Sequence, residues 1–600
     1  MAFNFAVHLS MFAAFAFSGG SYETTVVNMC DSEIFCDGRL LQTVAYFKQH
    51  YPNEFGSDSK EFVDQQLNFD SSTVVHAFDA EFPPSLNVSQ IDRAAFKAFL
   101  DRNFLRAATD LERCVPDDWQ ASPPKIQSIR DENCRAFAMH INRLWPTLCK
   151  KVSKAVESHP DRHSMLYVPH KYIAPGQRYT EFYYWDSFWI IKGLLVSSMY
   201  ETARNQIRNL AVMVERFGLM PNGGRVYYSR RSQPPFLTAM VHVYYQATDD
   251  LDFVRELLPT LVKEFQFWRQ HRQLAITAPD GQTATVYQFR TPTNVPRPEA
   301  YKEDLHTARS LPINEKRALW QNIASAAESG MDFSSRWITN KRDRDKTDTV
   351  NVVPVDLNAL LCYNMDLLKF FFTLTGDPKT AAEYRKMRDD FARTFDRVFY
   401  NESAGAWLDY NVATNTHNTD FYASMAAPMY ADCYDKLDTL TAGRVFQFIN
   451  SSGALRYASG VPSSMIRSGE QWDFANAWAP HNHMLVEALR KANDPLLQEW
   501  AFKLARNYIE GNYKAFVASK GHSNCPDPEG CLFEKLDVET STGKGQLGFG
   551  WTNGALLDLL YTYHDRMVCN ASQSTLKLPN WNALGAFIGA LFVITNQWLV

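Results

Sequence analysis

Apolar residues recur at helical spacing over much of the chain. The 3.6-residue period predicts helices over 190–217, closed by Gly218; 251–272; 357–374, closed by Gly376; 379–398; 481–492; 495–509; and 555–567. Strand-like alternation is brief and rare. From Tyr183 onward the helices come in pairs, and the segments joining the pairs are long and rich in Pro, Gly, Arg, Trp and Asp. Long connections inside a compact domain tend to carry function. The expected fold class is therefore all-α: a toroid of concentric helices whose active site is built from loops at one end. No tandem repeat and no low-complexity linker divides this helical part.

Composition narrows the partners. With 600 residues, 46% hydrophobic and 14% aromatic, the chain can bury a large core. Its 61 basic and 66 acidic residues nearly balance, at a net charge of -5, without a long run of either sign. That leaves no electrostatic footprint for nucleic acid and favours neutral ligands.

Both ends read as processing signals. An apolar run over 3–17 is followed by Ser18, Gly19 and Gly20, which predicts a signal peptide over 1–18, although no Lys or Arg precedes it. Asn570, Ala571 and Ser572, then a polar spacer, then the apolar stretch 583–594 match the layout of a GPI-anchor signal over 571–600; a plain C-terminal membrane helix is the alternative. Both place the chain in the secretory pathway and at the cell surface. Four Asn-x-Ser sequons, at Asn87, Asn401, Asn450 and Asn570, fit that route. Among the ten cysteines, Cys30 with Cys36 and Cys525 with Cys531 have the spacing of short-loop disulfides rather than of a metal site. The other six cannot be paired from sequence, and several are expected to be buried free thiols.

Two segments crowd aromatic, basic and acidic side chains together: residues 175–188, PGQRYTEFYYWDSF, and 471–480, QWDFANAWAP. Aromatic rings stack on the apolar faces of a pyranose, and carboxylates, amides and guanidinium groups bond its hydroxyls. The expected ligand is a sugar. Asn222, Arg225, Arg231 and Gln233 lie in PNGGRVYYSRRSQPP, a loop punctuated by Gly and Pro, and Pro296 and Pro298 bracket Arg297 just before Glu299. Arg178, Arg231 and Arg297, on stiffened loops, suit bidentate gripping of hydroxyls and carboxylates, although structural salt bridges would use the same residues.

Glycoside hydrolysis needs two carboxyl groups, one to protonate the departing oxygen and one to activate water or attack the sugar. The best candidates lie in loops among aromatic and small residues, where a raised pKa can arise: Asp332 in AESGMDFSSRW and Glu534 in CLFEKLDV. Residue chemistry leaves Asp186, Asp473, Glu299 and Asp409 in competition.

In order along the chain, PGQRYTEFYYWDSF, RSQPP, RPEAYKED, ESGMDFSSRW, PVDLNA, QWDFANAWAP, FEKLDV and GFGWTNG resemble the sequence blocks of the trehalases of glycoside hydrolase family 37, from about residue 167 to 563. The resemblance implies an (α/α)6 barrel in one catalytic domain over 19–570 that hydrolyses α,α-trehalose to two glucose molecules with inversion, without metal or cofactor. It makes Asp332 similar to the general acid and Glu534 to the general base. It makes Arg178, Arg231 and Arg297 similar to the essential arginines, and Tyr183, Trp185, Asp186, Asn222, Gln233, Glu299, Gly330 and Trp478 similar to subsite residues. Three features depart from the pattern. Gln177 and Met331 replace a Gly and a Trp, and LDVETSTGKGQLGFGW lacks the glycine run and Glu-Tyr that normally cover the site. The loop 519–532, closed by Cys525 and Cys531, either replaces part of that lid or is a surface insertion near the site without a role. A degenerate, non-catalytic sugar-binding protein is the alternative function.

Overall fold

The structure, a computed structural model, describes residues 25–105, 110–176, 178–522, 525 and 527–570. The predicted signal peptide, the C-terminal anchor segment and Gln177 lie outside them. Among the described residues no helix is long and apolar enough to cross a membrane.

Six helices, Asp186–Val196, Leu237–Thr248, Val355–Leu374, Ala427–Ala431, Ala479–Lys491 and Gly550–Thr562, pack side by side in chain order. The last lies against the first and closes the ring. Between and around them run Glu132–Leu148, Tyr200–Phe217, Leu251–His271, Pro378–Phe399, Thr439–Ser451 and Pro495–Ala518, which makes the (α/α)6 toroid. Side-chain patterning sorts the two layers. Along Asp186–Val196 every residue except Lys192 is buried, whereas Pro378–Phe399 buries only a stripe that includes Ala381, Tyr384, Phe391 and Phe395. A helix apolar all round belongs inside, and one with a single apolar face belongs on the outside. The closing seam is tight: a Cβ on Gly554 would fall 1.8 Å from the carbonyl oxygen of Trp189.

The sequence expectation fails at one helix. Residues 190–217 form two helices instead of one, because the chain turns at Ser197 and Ser198, where Ser198 takes φ 59°. Ser197 Oγ accepts a hydrogen bond from the indole of Trp145 at 3.0 Å, so tertiary contact fixes a break that no Gly or Pro announces. The helix beginning at Pro495 runs on to Ala518, past the expected end at 509.

A smaller helical unit, with Arg39–His50, Ser59–Val63, Ser71–Glu81 and Arg93–Asn103, has its own core of Phe47, Phe78, Phe96 and Phe99. That core continues into Tyr183, Tyr227 and Tyr228 of the toroid, so this unit seats on the loops at one end. Cys30–Cys36 and Cys525–Cys531 are bonded as expected. The expectation of free thiols is wrong: Cys114–Cys149, Cys134–Cys569 and Cys362–Cys433 pair the other six. The spans of 35, 435 and 71 residues explain why spacing could not reveal them.

Candidate active site

One cavity of about 240 Å³ opens at the loop end of the toroid, and all thirteen candidate site residues line it. Local structure brings them there. Trp185 and Asp186 start the first inner helix. The helix Ile313–Glu328 ends at Ser329, and Gly330 then turns the chain at φ 73° into Met331 and Asp332. A Cβ on Gly330 would lie 2.7 Å from the ring of Trp185, so glycine alone lets the chain pass this close. Glu328 anchors the same helix from below. Its buried carboxylate takes two bonds from Arg272, at 2.7 and 2.8 Å, and one from the amide of Ser232, at 3.0 Å, fixing the loop that carries Arg231 and Gln233.

The other wall is a small sheet. Strand Phe533–Asp537, bearing Glu534, pairs antiparallel with Asn476–Trp478 on one side and Gly543–Leu547 on the other. Trp478 stands opposite Lys535, so backbone pairing joins the second aromatic-rich segment to the base strand. Trp478 stacks on Trp472 at 4.2 Å between ring centroids, and Trp551 meets Trp478 edge-on at 5.5 Å. The indole N–H of Trp478 donates to the Gln471 carbonyl at 2.8 Å, and the Gln471 amide donates to the Asp332 carbonyl, tying the two walls together.

Strand Gly543–Leu547 occupies the place of the missing glycine-rich lid. Gly545 has φ 80°, and a Cβ there would fall 1.9 Å from Glu534 Oε2. The amide of Gln546 donates to that oxygen at 3.2 Å, and Lys535 Nζ stands 3.3 Å from it. Among the described residues none of 519–532 borders the cavity; Glu529 is instead bound by Arg143 of the outer helix Glu132–Leu148.

Electrostatics separate the carboxyl groups. Burial pushes Asp332 up to about 6, against the pull of Arg297 and Arg231. Burial, reinforced by Glu534 and Asp332, pushes Asp186 up to about 8. Burial opposes ionisation of Glu299 as well, but Arg231 and Arg297 hold it below the usual carboxylate range. Arg297 is fixed by Asp304, its Nε at 2.9 Å and its Nη2 at 2.7 Å from the carboxylate. Arg231 spends one nitrogen on Glu299; its Nε and Nη1, and Glu299 Oε2, are buried with no partner among the described residues. Such orphaned groups need a polar ligand or water. Arg178 is exposed at the rim and paired with Asp58 at 2.7 Å.

Three comparisons with known proteins bear on the family and fold of this chain. A family model described as Trehalase matches residues 54–564. The chain belongs to the trehalase family. It is 37% identical to a trehalase from Homo sapiens, over 91% of this chain and 92% of that one. A trehalase from Oryctolagus cuniculus is also 37% identical, over 94% and 95% of the two chains. A solved neutral trehalase from Saccharomyces cerevisiae, at 21% identity, superposes with a TM-score of 0.52 over 65% of this chain and 73% of that one, which is a likeness of fold.

The cavity also sorts the competing acids of this trehalase-family chain. Asp186 and Glu299 line it. Asp473 does not: it is fully buried and accepts bonds from Ser334, Ser335 and Ser464 at 2.7–3.0 Å. Asp409 likewise serves the fold, gripping Arg336 at 2.7 Å together with Asp356 of PVDLNA. Arg225 also lies outside the lining and pairs with Asp110 at 2.7 Å. Met331 is buried, its carbonyl accepting from the indole of Trp337 at 3.2 Å. Sequence reasoning missed Lys60, Tyr179, Tyr228, Trp472, Phe549 and Trp551 in the wall. Trp472, Phe549 and Trp551 sit inside or beside the aromatic blocks and could have been included; nothing around Lys60 marks it.

Proposed function

We propose that this protein hydrolyses α,α-trehalose to two glucose molecules with inversion. The supporting observation is the pairing, in one cavity, of a buried carboxyl raised to about 6 with a second carboxyl held by a backbone amide. Asp332 protonates the glycosidic oxygen as the bond to C1 breaks. Glu534 draws a proton from a water that attacks C1 from the opposite face, and the two carboxyl groups should stand about 6.5–9.5 Å apart to admit it. Arg178, Arg231 and Arg297 bond sugar hydroxyls. Tyr183, Trp185, Asp186, Asn222, Gln233, Glu299, Gly330 and Trp478 shape the two glucose subsites, with indole faces against the rings. Acid and base between them supply both proton transfers, so the step calls for no metal or cofactor.

The reading extends to the cell surface. Five disulfides suit an oxidising compartment. Residues 1–18 would direct secretion, 19–570 would act as one catalytic unit carrying N-glycans, and 571–600 would supply a GPI or membrane anchor.

Early proton NMR spectra of trehalose with the purified protein test the chemistry. Inversion yields one β-glucose and one α-glucose per turnover before mutarotation. Production of α-glucose only, or no glucose, would contradict the proposal.

A further inference from the structure

Lys60 is a lysine of the small N-terminal unit, yet it lines the sugar cavity. Only 4% of it is exposed. Its ammonium has three neighbours for three N–H groups: Asp64 Oδ2 at 2.6 Å, Glu181 Oε1 at 2.7 Å and the hydroxyl of Tyr227 at 3.2 Å. Burial opposes its charge, and the carboxylates of Asp64 and Glu181 overcome that and hold its pKa above the ordinary value.

The contacts continue into the site. Glu181, fully buried, accepts a hydrogen bond from the hydroxyl of Tyr183 at 2.6 Å on the same oxygen that faces Lys60. The Tyr183 hydroxyl is 2.9 Å from that of Tyr228, and the Arg231 guanidinium lies over the Tyr228 ring, 4.9 Å from its centroid. Tyr183, Tyr228 and Arg231 all border the cavity. Apart from Lys60, the cation nearest Glu181 is Arg225, 4.0 Å from the other oxygen and already engaged with Asp110 at 2.7 Å. A buried carboxylate deprived of its close cation takes up a proton or moves. Either change weakens or displaces the charged acceptor that orients Tyr183.

We infer that Lys60 is a positioning residue of the sugar site: the N-terminal unit completes the subsite formed by Tyr183, Tyr228 and Arg231 from outside the toroid. The same unit reaches the rim a second time, through the pair of Asp58 with Arg178. The inference rests on the hydrolytic reading above and deepens it. It assigns ground-state sugar binding, not proton transfer, to this network.

The test is steady-state kinetics on trehalose with Lys60→Met and with the charge-balanced double variant Lys60→Met/Asp64→Asn, each checked for folding by circular dichroism. A lost charge-assisted orientation is expected to raise KM about tenfold or more while kcat stays within about threefold of the parent. An unchanged KM with a smaller active fraction would overturn the inference, because a purely structural lysine lowers the amount of folded enzyme and not its affinity. Failure of both variants to yield folded protein would overturn it too, assigning Lys60 to the fold. Parent protein that releases no glucose from trehalose would count against the hydrolytic reading, and the variants' affinity for trehalose, read by calorimetry, would then decide the role of Lys60 separately.

Discussion

The two carboxyl groups of the cavity sit in walls built by different means. Asp332 lies at the end of an inner-layer connection, pinned by a glycine turn and surrounded by buried ion pairs: Arg297 with Asp304, Arg231 with Glu299, and Arg272 with Glu328. Glu534 lies on a short strand, oriented by a backbone amide and by the closeness of Gly545. The first wall makes its carboxyl harder to ionise by burying it, while its arginines stop the shift from going further. The second holds its carboxylate between the Gln546 amide at 3.2 Å and Lys535 Nζ at 3.3 Å. On the proposed reading, acid and base are told apart by their surroundings, not by residue type.

Removing either group tests that division most severely. Asp332→Asn and Glu534→Gln should each lower kcat about 10³-fold or more, within or beyond the range of a lost general acid or base, with thermal melting near that of the parent. Substantial activity in either variant would remove it from the mechanism. Gly545→Ala comes next. Its methyl group would displace the Glu534 carboxylate, and a misplaced base costs about 100-fold in kcat; the same change at exposed Gly521, which has no described residue within 4 Å of its Cβ position, provides the control for backbone strain.

The pH response sharpens the contrast on the acid side. Asp332 must be protonated to act, so kcat/KM should fall about tenfold per unit as pH rises above about 6. The profile should lose that limb in Asp332→Asn. Stability should move the same way. Asp332 and Asp186 bind protons more tightly folded than unfolded, from the ordinary value of 3.8 up to about 6 and about 8 respectively, so melting temperature should decline as pH rises across that window. Asp186→Asn should flatten the upper part of the decline. The smallest effect is expected at the disulfide loop. Cys525→Ser with Cys531→Ser should change KM less than about twofold, because none of the loop's described residues lines the cavity. A large rise in KM would restore the loop to the lid.

Much of this was legible in the sequence, for a physical reason. The toroid's layers follow from helices that are apolar all round or on one face, and a 3.6-residue period records that directly. The arginine-bearing loops and aromatic segments concentrate residue types that a core seldom needs, so their gathering around one cavity was foreseeable. What the sequence hid was set by tertiary contact. The break at Ser197 depends on Trp145, and three disulfides join distant segments. Lys60 looks like a surface lysine in SDSKEF until the N-terminal unit docks on Tyr183. The lid shows the same limit. LDVETSTGKGQLGFGW reads only as a segment that lacks the glycine run, whereas strand Gly543–Leu547 pairs with Phe533–Asp537 and brings Gly545 against Glu534.

The most direct test of the division between the walls is hydrolysis of α-glucosyl fluoride, whose leaving group departs without protonation, by the two carboxyl variants. The account predicts that Asp332→Asn regains most of the parent rate on this substrate while Glu534→Gln stays inactive. Rescue of Glu534→Gln, or equal loss in both, would contradict the assignment of acid and base.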